Sequence, residues 1–462
     1  MEDYRRIADR LAADIEAGRL KPGERLPPQR QFARRRGIAG STAGRVYGEL
    51  VRRGLVVGEV GRGTFVRAAP AGPTGRALTE DATRAPVNME LNYPTAPGQS
   101  ELLAPVLEPL LRPDVLAEAL LPAAATGTAA ARAAAADVLA PGWRPDPACV
   151  LFTGNARQAI AATLASLVRP GGRVGVEELT YPLVKEIAAR LGIALVPLAG
   201  DVEGPLPEAV AAAHRTAPLS ALYLQPTLHN PTSLTVGRER RRQLAAAVAD
   251  LGLPVVEDRI WSFLHSGTPD SPGTPDPLAT HAPGLTHVVD SLSKRVAPGL
   301  TVGFVVAPRE RLHAVAAAIR SGGWSAGRFA LEAAVRVTGA GVVRRLVESK
   351  RADAAERQRI VAEELEGLGG GGESGRGIPG ARGVVRAHPQ VYYAWWELPA
   401  PWRADTFAAA AAAHGIAVTP GPAFAVDPSR TPDAVRLGLA STAVPDLRRA
   451  LRTLAGVART GP

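Results

Sequence analysis

Lysine is scarce in this chain. Four lysines, Lys21, Lys185, Lys294 and Lys350, stand among 54 basic residues in a sequence of 462. Lys294 lies in D-S-L-S-K-R-V-A-P-G-L-T-V-G-F, just after a strand-like run ending near Asp290 and between the hydroxyls of Ser291 and Ser293. An amine held on a rigid element can condense with an aldehyde, which opens covalent chemistry by lysine. Lys185 and Lys350 fall in amphipathic helical patterns without comparable neighbours. Such chemistry also needs a phosphate cradle, an acid for a ring nitrogen and an aromatic plate. T-G-N-A-R-Q-A-I at 153–160 reads as a turn opening a helix, and the free N–H groups around Ala156 and Arg157 suit a phosphate. Tyr181 in E-E-L-T-Y-P suits stacking on a ring, and H-N-P-T at 229–232 offers Asn230 to a ring oxygen. V-V-E-D at 255–258 ends in Asp258, an acid able to keep a ring nitrogen protonated and make the ring an electron sink. D-A-V-R-L-G-L-A at 433–440 offers Arg436, a bidentate match for a carboxylate. Taken singly, Tyr181 also suits a core aromatic, Asn230 a turn and Asp258 a helix cap. Five such residues in one order favour a shared site.

These residues need a scaffold, and the chain carries an α/β pattern from about Val87 onward. Leu222–Leu224, Val255–Val256 and Val288–Val289 read as buried parallel strands separated by helical stretches such as 238–251. Residues from roughly 385 to 460 open on the strand-like Val391–Trp396 and close on an Arg-bearing helix near 445–455, which reads as a small α+β subdomain. The run of glycines at 369–372 marks a loop insertion. Residues 68–86 are small, Pro-rich and aperiodic, a linker. Residues 1–67 read as three helices and a hairpin. Tyr4, Ile7, Leu11 and Ile15 recur at helical spacing up to Gly18, and Pro27 and Pro28 open a second helix ending at Gly37. A third starts near Ser41 or Thr42 as N-caps and stops at Gly54, exposing Ser41, Thr42, Arg45 and Glu49. Two short strands then flank a turn at Gly61–Gly63.

Charge is concentrated in that first unit. It holds 15 Lys and Arg against 8 Asp and Glu, a net +7 of the chain's +10. A basic helical unit of this outline is a winged helix-turn-helix, and its affinity for DNA would come from phosphate contacts by residues such as Arg30, Arg34, Arg35, Arg36 and Arg62. Hydrophobic residues make up 46% and charged residues 21%, a globular balance with no run able to span a bilayer. The charged first ten residues lack the pattern of a signal peptide. The single cysteine, Cys149, excludes an internal disulfide framework and a cysteine-based zinc finger. A cytoplasmic location, with no metal and no membrane partner, is the expectation.

Tyr4 to Val66 resembles the GntR family of bacterial regulators, on A-G-R-L-K-P-G-E-R-L-P-P-Q-R, V-Y-G-E-L-V-R-R-G-L-V and G-R-G-T-F-V in that order. The resemblance implies double-stranded operator DNA contacted by Arg30, Ser41, Thr42 and Arg45, with Arg62 and Gly63 in the wing. Residues 87–460 resemble the fold-type I, class I aminotransferases, and the two-part chain resembles the MocR-type regulators. That implies pyridoxal 5′-phosphate on Lys294 and a homodimer. Asp258, Asn230, Tyr181, Ala156, Arg157, Ser291 and Ser293 would hold the cofactor. An amino acid, amine or vitamer effector would change DNA binding, with Arg436 meeting its carboxylate. Five positions depart from the pattern. Thr301 stands where the family usually has a phosphate-binding Arg, and Ile260 and Trp261 stand where a Tyr usually follows the acid. Gly40 and Gly44 stand where the recognition helix often has Arg and a polar residue. The expected remedy for Thr301 is the positive charge of Arg157. Two alternatives remain beside the regulator: a working aminotransferase in which Lys294 also moves the proton, and a regulator that no longer binds the cofactor.

Overall fold

The computed structural model describes residues 4–461 except 18, 21, 22, 54, 60–62, 67–84, 141, 269, 270, 273, 274, 366–382, 428 and 429. Gly18, Gly54, Gly61, Arg62, most of the linker and the glycine run at 369–372 therefore lie outside the described residues.

Ile7, Leu11 and Ile15 close one face of α1 (Tyr4–Glu16) onto Phe32 of α2 (Gln29–Arg36) and Val46, Tyr47 and Leu50 of α3 (Gly40–Arg52). Gly37 ends α2 in the left-handed region, φ 64°, a conformation that favours glycine. The Tyr47 hydroxyl donates to the Pro27 carbonyl at 2.5 Å, and its ring meets Phe32 edge-on. Three short strands, β1 (Arg25–Leu26), β2 (Val56–Glu59) and β3 (Gly63–Val66), form the wing in the order β1-β3-β2. Two sequence expectations are corrected here. Helix α3 starts at Gly40, one turn position early, because extended Ala39 is its N-cap; Ser41 and Thr42 sit inside the first turn and cap nothing. Glu49 is not offered to solvent: Arg53 bonds it at 2.7 Å and reaches Asp9 of α1 at 2.6 Å, so it ties two helices together.

The body is built on seven strands. In chain order they are β4 (Val150–Thr153), β5 (Arg173–Glu177), β6 (Ala194–Leu198), β7 (Ala221–Leu224), β8 (Val255–Asp258), β9 (Thr286–Ser291) and β10 (Gly303–Val306). Their spatial order is β4-β10-β9-β8-β7-β5-β6, and only β10 runs antiparallel to its neighbours. Strands β4, β7, β8, β9 and β10 are buried at every residue, which explains their unbroken apolar runs. Six helices matter for the site: α4 (Ala156–Leu167), α5 (Pro182–Arg190), the one-turn α6 (Leu292–Arg295), the long α7 (Val342–Leu365), α8 (Ala404–Ala413) and α9 (Val444–Thr460). No helix of the described residues is long and apolar enough to cross a membrane.

A second sheet, β11 (Val384–Arg386), β12 (Tyr393–Glu397), β13 (Thr419–Pro420) and β14 (Ala434–Gly438), forms the smaller subdomain in the order β11-β12-β14-β13. Helices α8 and α9 pack on it around Trp396, Trp402 and Phe407. The start of the body belongs to this layer too. Val87 and Asn88 pair in parallel with Ile416 and Ala417, and the Gly438 N–H donates to the Met89 carbonyl. The next residues, Asn92 and Tyr93, are thereby delivered to the large sheet. The head meets the body at one edge, where the Arg403 guanidinium before α8 lies 5.6 Å above the Phe65 ring of β3.

Candidate functional site

Parallel strands present ligands at their carboxyl ends, and here the ends of β5, β7, β8 and β9 open on a cavity of about 190 Å³. Strand β8 delivers Asp258, buried at 1% exposure. Its Oδ2 accepts the Tyr223 hydroxyl of β7 at 2.7 Å and its Oδ1 accepts the Ile260 N–H at 2.9 Å. Burial pushes the Asp258 acid up to about 6, and the Tyr223 hydrogen bond opposes that push. A buried carboxylate facing open space with two donors behind it suits a cation placed in front.

Strand β9 turns into α6 at Ser291. The Ser291 hydroxyl takes the Ser293 N–H at 3.2 Å and lies 2.7 Å from the Ser293 hydroxyl. Ser293 lines the cavity; Ser291 does not, and stands behind it as its hydrogen-bond partner. Lys294 projects from this turn. Its Nζ donates to the Asn92 carbonyl at 2.6 Å and lies 4.1 Å from the Tyr93 ring centre and 5.2 Å from that of Trp261. Burial, with the cations Arg436, Arg157 and Lys350 around it, pushes the Lys294 amine down to about 7. A lysine so placed offers a neutral nucleophile near neutral pH, which a solvated lysine does not.

The turn between β4 and α4 forms the floor. Asn155 caps α4 by accepting the Gln158 N–H at 3.0 Å, which leaves the N–H groups of Ala156 and Arg157 without intrahelical acceptors. Gly303 of β10 makes room for this turn, since a Cβ there would stand 2.3 Å from the Asn155 backbone. Ala156, Arg157 and Thr301 line the cavity, and the Thr301 hydroxyl is buried without a partner among the described residues. Asn230 and Tyr181 line the cavity as well. The Asn230 N–H is held by the Gln225 side chain at 2.8 Å, and its own side-chain oxygen is without a partner among the described residues. Arg436 of β14 enters from the small subdomain. It bonds Thr419 at 3.0 Å and the Glu90 carbonyl, lies 5.5 Å from the Phe424 ring, and its Nε has no partner among the described residues. Burial pushes it down to about 10.

The structure thus brings Lys294, Asp258, Asn230, Tyr181, Ala156, Arg157, Ser293 and Arg436 to one cavity and sets Ser291 behind it. Trp261 forms a wall of that cavity, T-shaped against Tyr393. On the head, Arg30, Ser41 and Arg45 are exposed and Thr42 is half-buried. Gly63 opens β3 at φ 126°, where a Cβ would meet the Arg25 guanidinium at 2.6 Å. Sequence reading missed Tyr223, Asn92 and Tyr93. Lys185 and Lys350 lie in helices, as their patterns predict, but their sequence does not show that their ammonium groups cap backbone carbonyls around the site. Their rarity was the available signal.

Replacing Tyr223 with Phe removes the donor that restrains Asp258. The Asp258 acid should then titrate above its present value of about 6. The carboxyl ¹³C shift of Asp258, followed against pH in wild type and Tyr223→Phe, checks this; an unmoved or lowered midpoint contradicts it.

Residues 123–454 match the family model for aminotransferase class I and II, and residues 3–66 match that for bacterial regulatory proteins of the gntR family. The chain is 29% identical over 364 residues to the uncharacterized HTH-type transcriptional regulator YdeF of Bacillus subtilis, covering 79% of this chain and 77% of that one. It is 23% identical over 367 residues to the HTH-type pyridoxine biosynthesis transcriptional regulator PdxR of Corynebacterium glutamicum, covering 78% of each. Among solved structures it shares the fold of LysN, the alpha-aminoadipate aminotransferase of Thermus thermophilus. That likeness has a TM-score of 0.69 at 22% identity and covers 83% of this chain and 98% of that one. With its strand order, its cavity and its basic head, the chain belongs to the aminotransferase class I and II family and carries a GntR-type head, the architecture of MocR-type transcriptional regulators.

Proposed function

We propose that this chain is a DNA-binding transcriptional regulator whose body binds pyridoxal 5′-phosphate through Lys294 and senses an amino acid, an amine or a vitamer. The observation that carries this reading is the convergence of Lys294, Asp258, Asn230, Tyr181, Arg157 and Arg436 on one cavity. Among the described residues the Thr301 hydroxyl and the Arg436 Nε are unpartnered donors that fit a polar, anionic occupant, since buried polar groups ordinarily have partners. When bound, the cofactor supplies an electron-withdrawing ring. Asp258 would keep the ring nitrogen protonated, Asn230 would donate to the ring oxygen and Tyr181 would cover a ring face. The N–H groups of Ala156 and Arg157, with Ser293 and Thr301, would take the phosphate. A neutral hydroxyl at 301 holds a phosphate less strongly than a cation, and the Arg157 guanidinium would provide the charge. Likeness to a regulator of pyridoxine biosynthesis supports a vitamer among the effector classes.

A route from cavity to head is supported by contacts of the small subdomain. Arg436 sits on β14, the neighbour of β12 and β13. Lys185 of α5 donates to the carbonyls of Ala423 at 3.0 Å and Ala425 at 2.8 Å, binding the Phe424 loop to the large sheet's layer. The same subdomain touches the wing through Arg403 and Phe65. A ligand that prefers one closure of the subdomain biases the head by the difference in its affinities for the two states. We also propose DNA contacts by Arg30, Ser41, Thr42, Arg45 and the wing around Arg62 and Gly63, and a cytoplasmic site of action. A homodimer would cover Leu111, Leu120 and Leu121, which are 67%, 71% and 50% exposed on one segment.

Wild-type protein mixed with pyridoxal 5′-phosphate should gain a visible absorbance band that Lys294→Ala lacks. Candidate amino acids and vitamers should then shift both the band and the affinity for DNA upstream of the chain's own gene. That affinity should fall steeply with salt and weaken about tenfold in Arg30→Ala or Arg45→Ala. A wild type without the band, or binding insensitive to salt, contradicts the reading. Arg157→Ala should weaken cofactor affinity about tenfold in a titration; unchanged affinity removes Arg157 from the phosphate site. Leu120→Asp should convert a dimer to a monomer in sedimentation, and a monomeric wild type rejects the dimer.

A further inference from the structure

Arginine is this chain's ordinary cation, so a buried lysine asks for a reason. Lys350 sits within α7 with 0% of its surface exposed. Its Nζ donates to three successive carbonyl oxygens, those of Lys294 at 3.0 Å, Arg295 at 3.1 Å and Val296 at 2.7 Å. These carbonyls close the one-turn helix α6, and a helix end leaves such groups without intrahelical donors. A compact ammonium carries three donors on one atom. The planar guanidinium spreads five donors in a rigid fork and does not reproduce that grip. The carbonyl of Lys350 itself accepts the Tyr392 hydroxyl at 2.7 Å, which fixes this turn of α7 against the small subdomain.

We propose that Lys350 is a positioning residue for Lys294: by holding the carbonyls of residues 294–296 it fixes the direction in which the Lys294 side chain leaves α6 and keeps a positive charge beside it. Burial pushes the Lys350 amine down to about 8, so it remains largely protonated at neutral pH. That charge also opposes the negative end of α6. It acts on Lys294 together with Arg436 from β14 and Arg157 from α4. Asp258, Glu90, Tyr93 and Tyr181 complete the titratable or charged walls of the cavity. The inference concerns the cofactor-binding lysine and so rests on the reading that Lys294 carries pyridoxal 5′-phosphate.

The test has one arm without cofactor and one with it. In cofactor-free protein, Lys294 is reductively methylated with formaldehyde and borohydride across a pH series, and its extent is read by peptide mass spectrometry. Lys350→Met keeps the side-chain stem and removes the charge. The Lys294 midpoint should rise by roughly half a pH unit or more, since a like charge nearby has gone. In the second arm, the visible band on adding pyridoxal 5′-phosphate should develop at least about tenfold more slowly, because the amine is no longer aimed. A Lys350→Met protein that melts cooperatively, with both midpoint and rate unchanged, overturns the proposal. Lys350→Arg carries the test if the Met variant does not melt cooperatively. It keeps the charge without the threefold grip, so its midpoint should stay low while its rate falls at least about fivefold; a wild-type rate overturns the proposal. Failure of the underlying reading looks different, because wild type itself then gives no band while the methylation arm still reports on Lys350.

Discussion

An amine drawn out of water among other cations gives up its proton far more readily than a solvated one. Lys294 is in that position. Removal from water is the largest influence on its proton, and Arg436, Arg157 and Lys350 add repulsion. Much of the surrounding architecture follows from keeping such an amine aimed and open to a small cavity. The large sheet supplies Asp258 and the turn at Ser291, the small subdomain supplies Arg436, and the opening segment of the body supplies the Asn92 carbonyl that receives the amine.

Behind the cavity lies a set of buried charges that fixes the strand ends. Arg295 pairs with Asp290 at 2.5 Å, and Glu257 stands 3.5 Å from Arg241 and 3.7 Å from Arg259. Burial pushes the acids Asp290 and Glu257 up and the bases Arg241 and Arg259 down, so desolvation outweighs attraction at each. Such pairs contribute little net stability when whole, yet breaking one by removing a partner costs about 3–5 kcal/mol. The arrangement therefore tolerates little change next to Asp258 and Lys294, both neighbours in sequence of these charges.

The parts of the site that the sequence displays are those whose chemistry restricts residue type. A lysine between serines after a strand, an acid ending a strand and an H-N-P-T turn all limit what can stand there, and their places around the cavity agree with their order in the chain. Parallel strands such as Val255–Asp258 were readable because burial on both faces leaves an unbroken apolar run. What stayed hidden depends on contacts between distant segments. Nothing near Val87 announces that it pairs with Ile416, which is what brings Asn92 and Tyr93 to Lys294. The helical pattern around Lys350 tells which element it occupies but not that its ammonium ends against α6. Thr301 was legible as a departure, whereas its unpartnered hydroxyl is a property of the packed cavity alone.

The imbalance of fifty arginines over four lysines has a chemical consequence outside the cavity. Free aldehydes condense reversibly with any unprotonated amine they meet, whereas guanidinium groups keep their protons throughout the physiological range and stay unreactive. Lys185 and Lys350 are each held by two or more backbone carbonyls, whereas Lys294 meets one and faces the cavity. A reactive carbonyl compound diffusing over this protein encounters a basic coat with very few decoys, so selectivity for one amine is written into the whole surface as well as into the pocket.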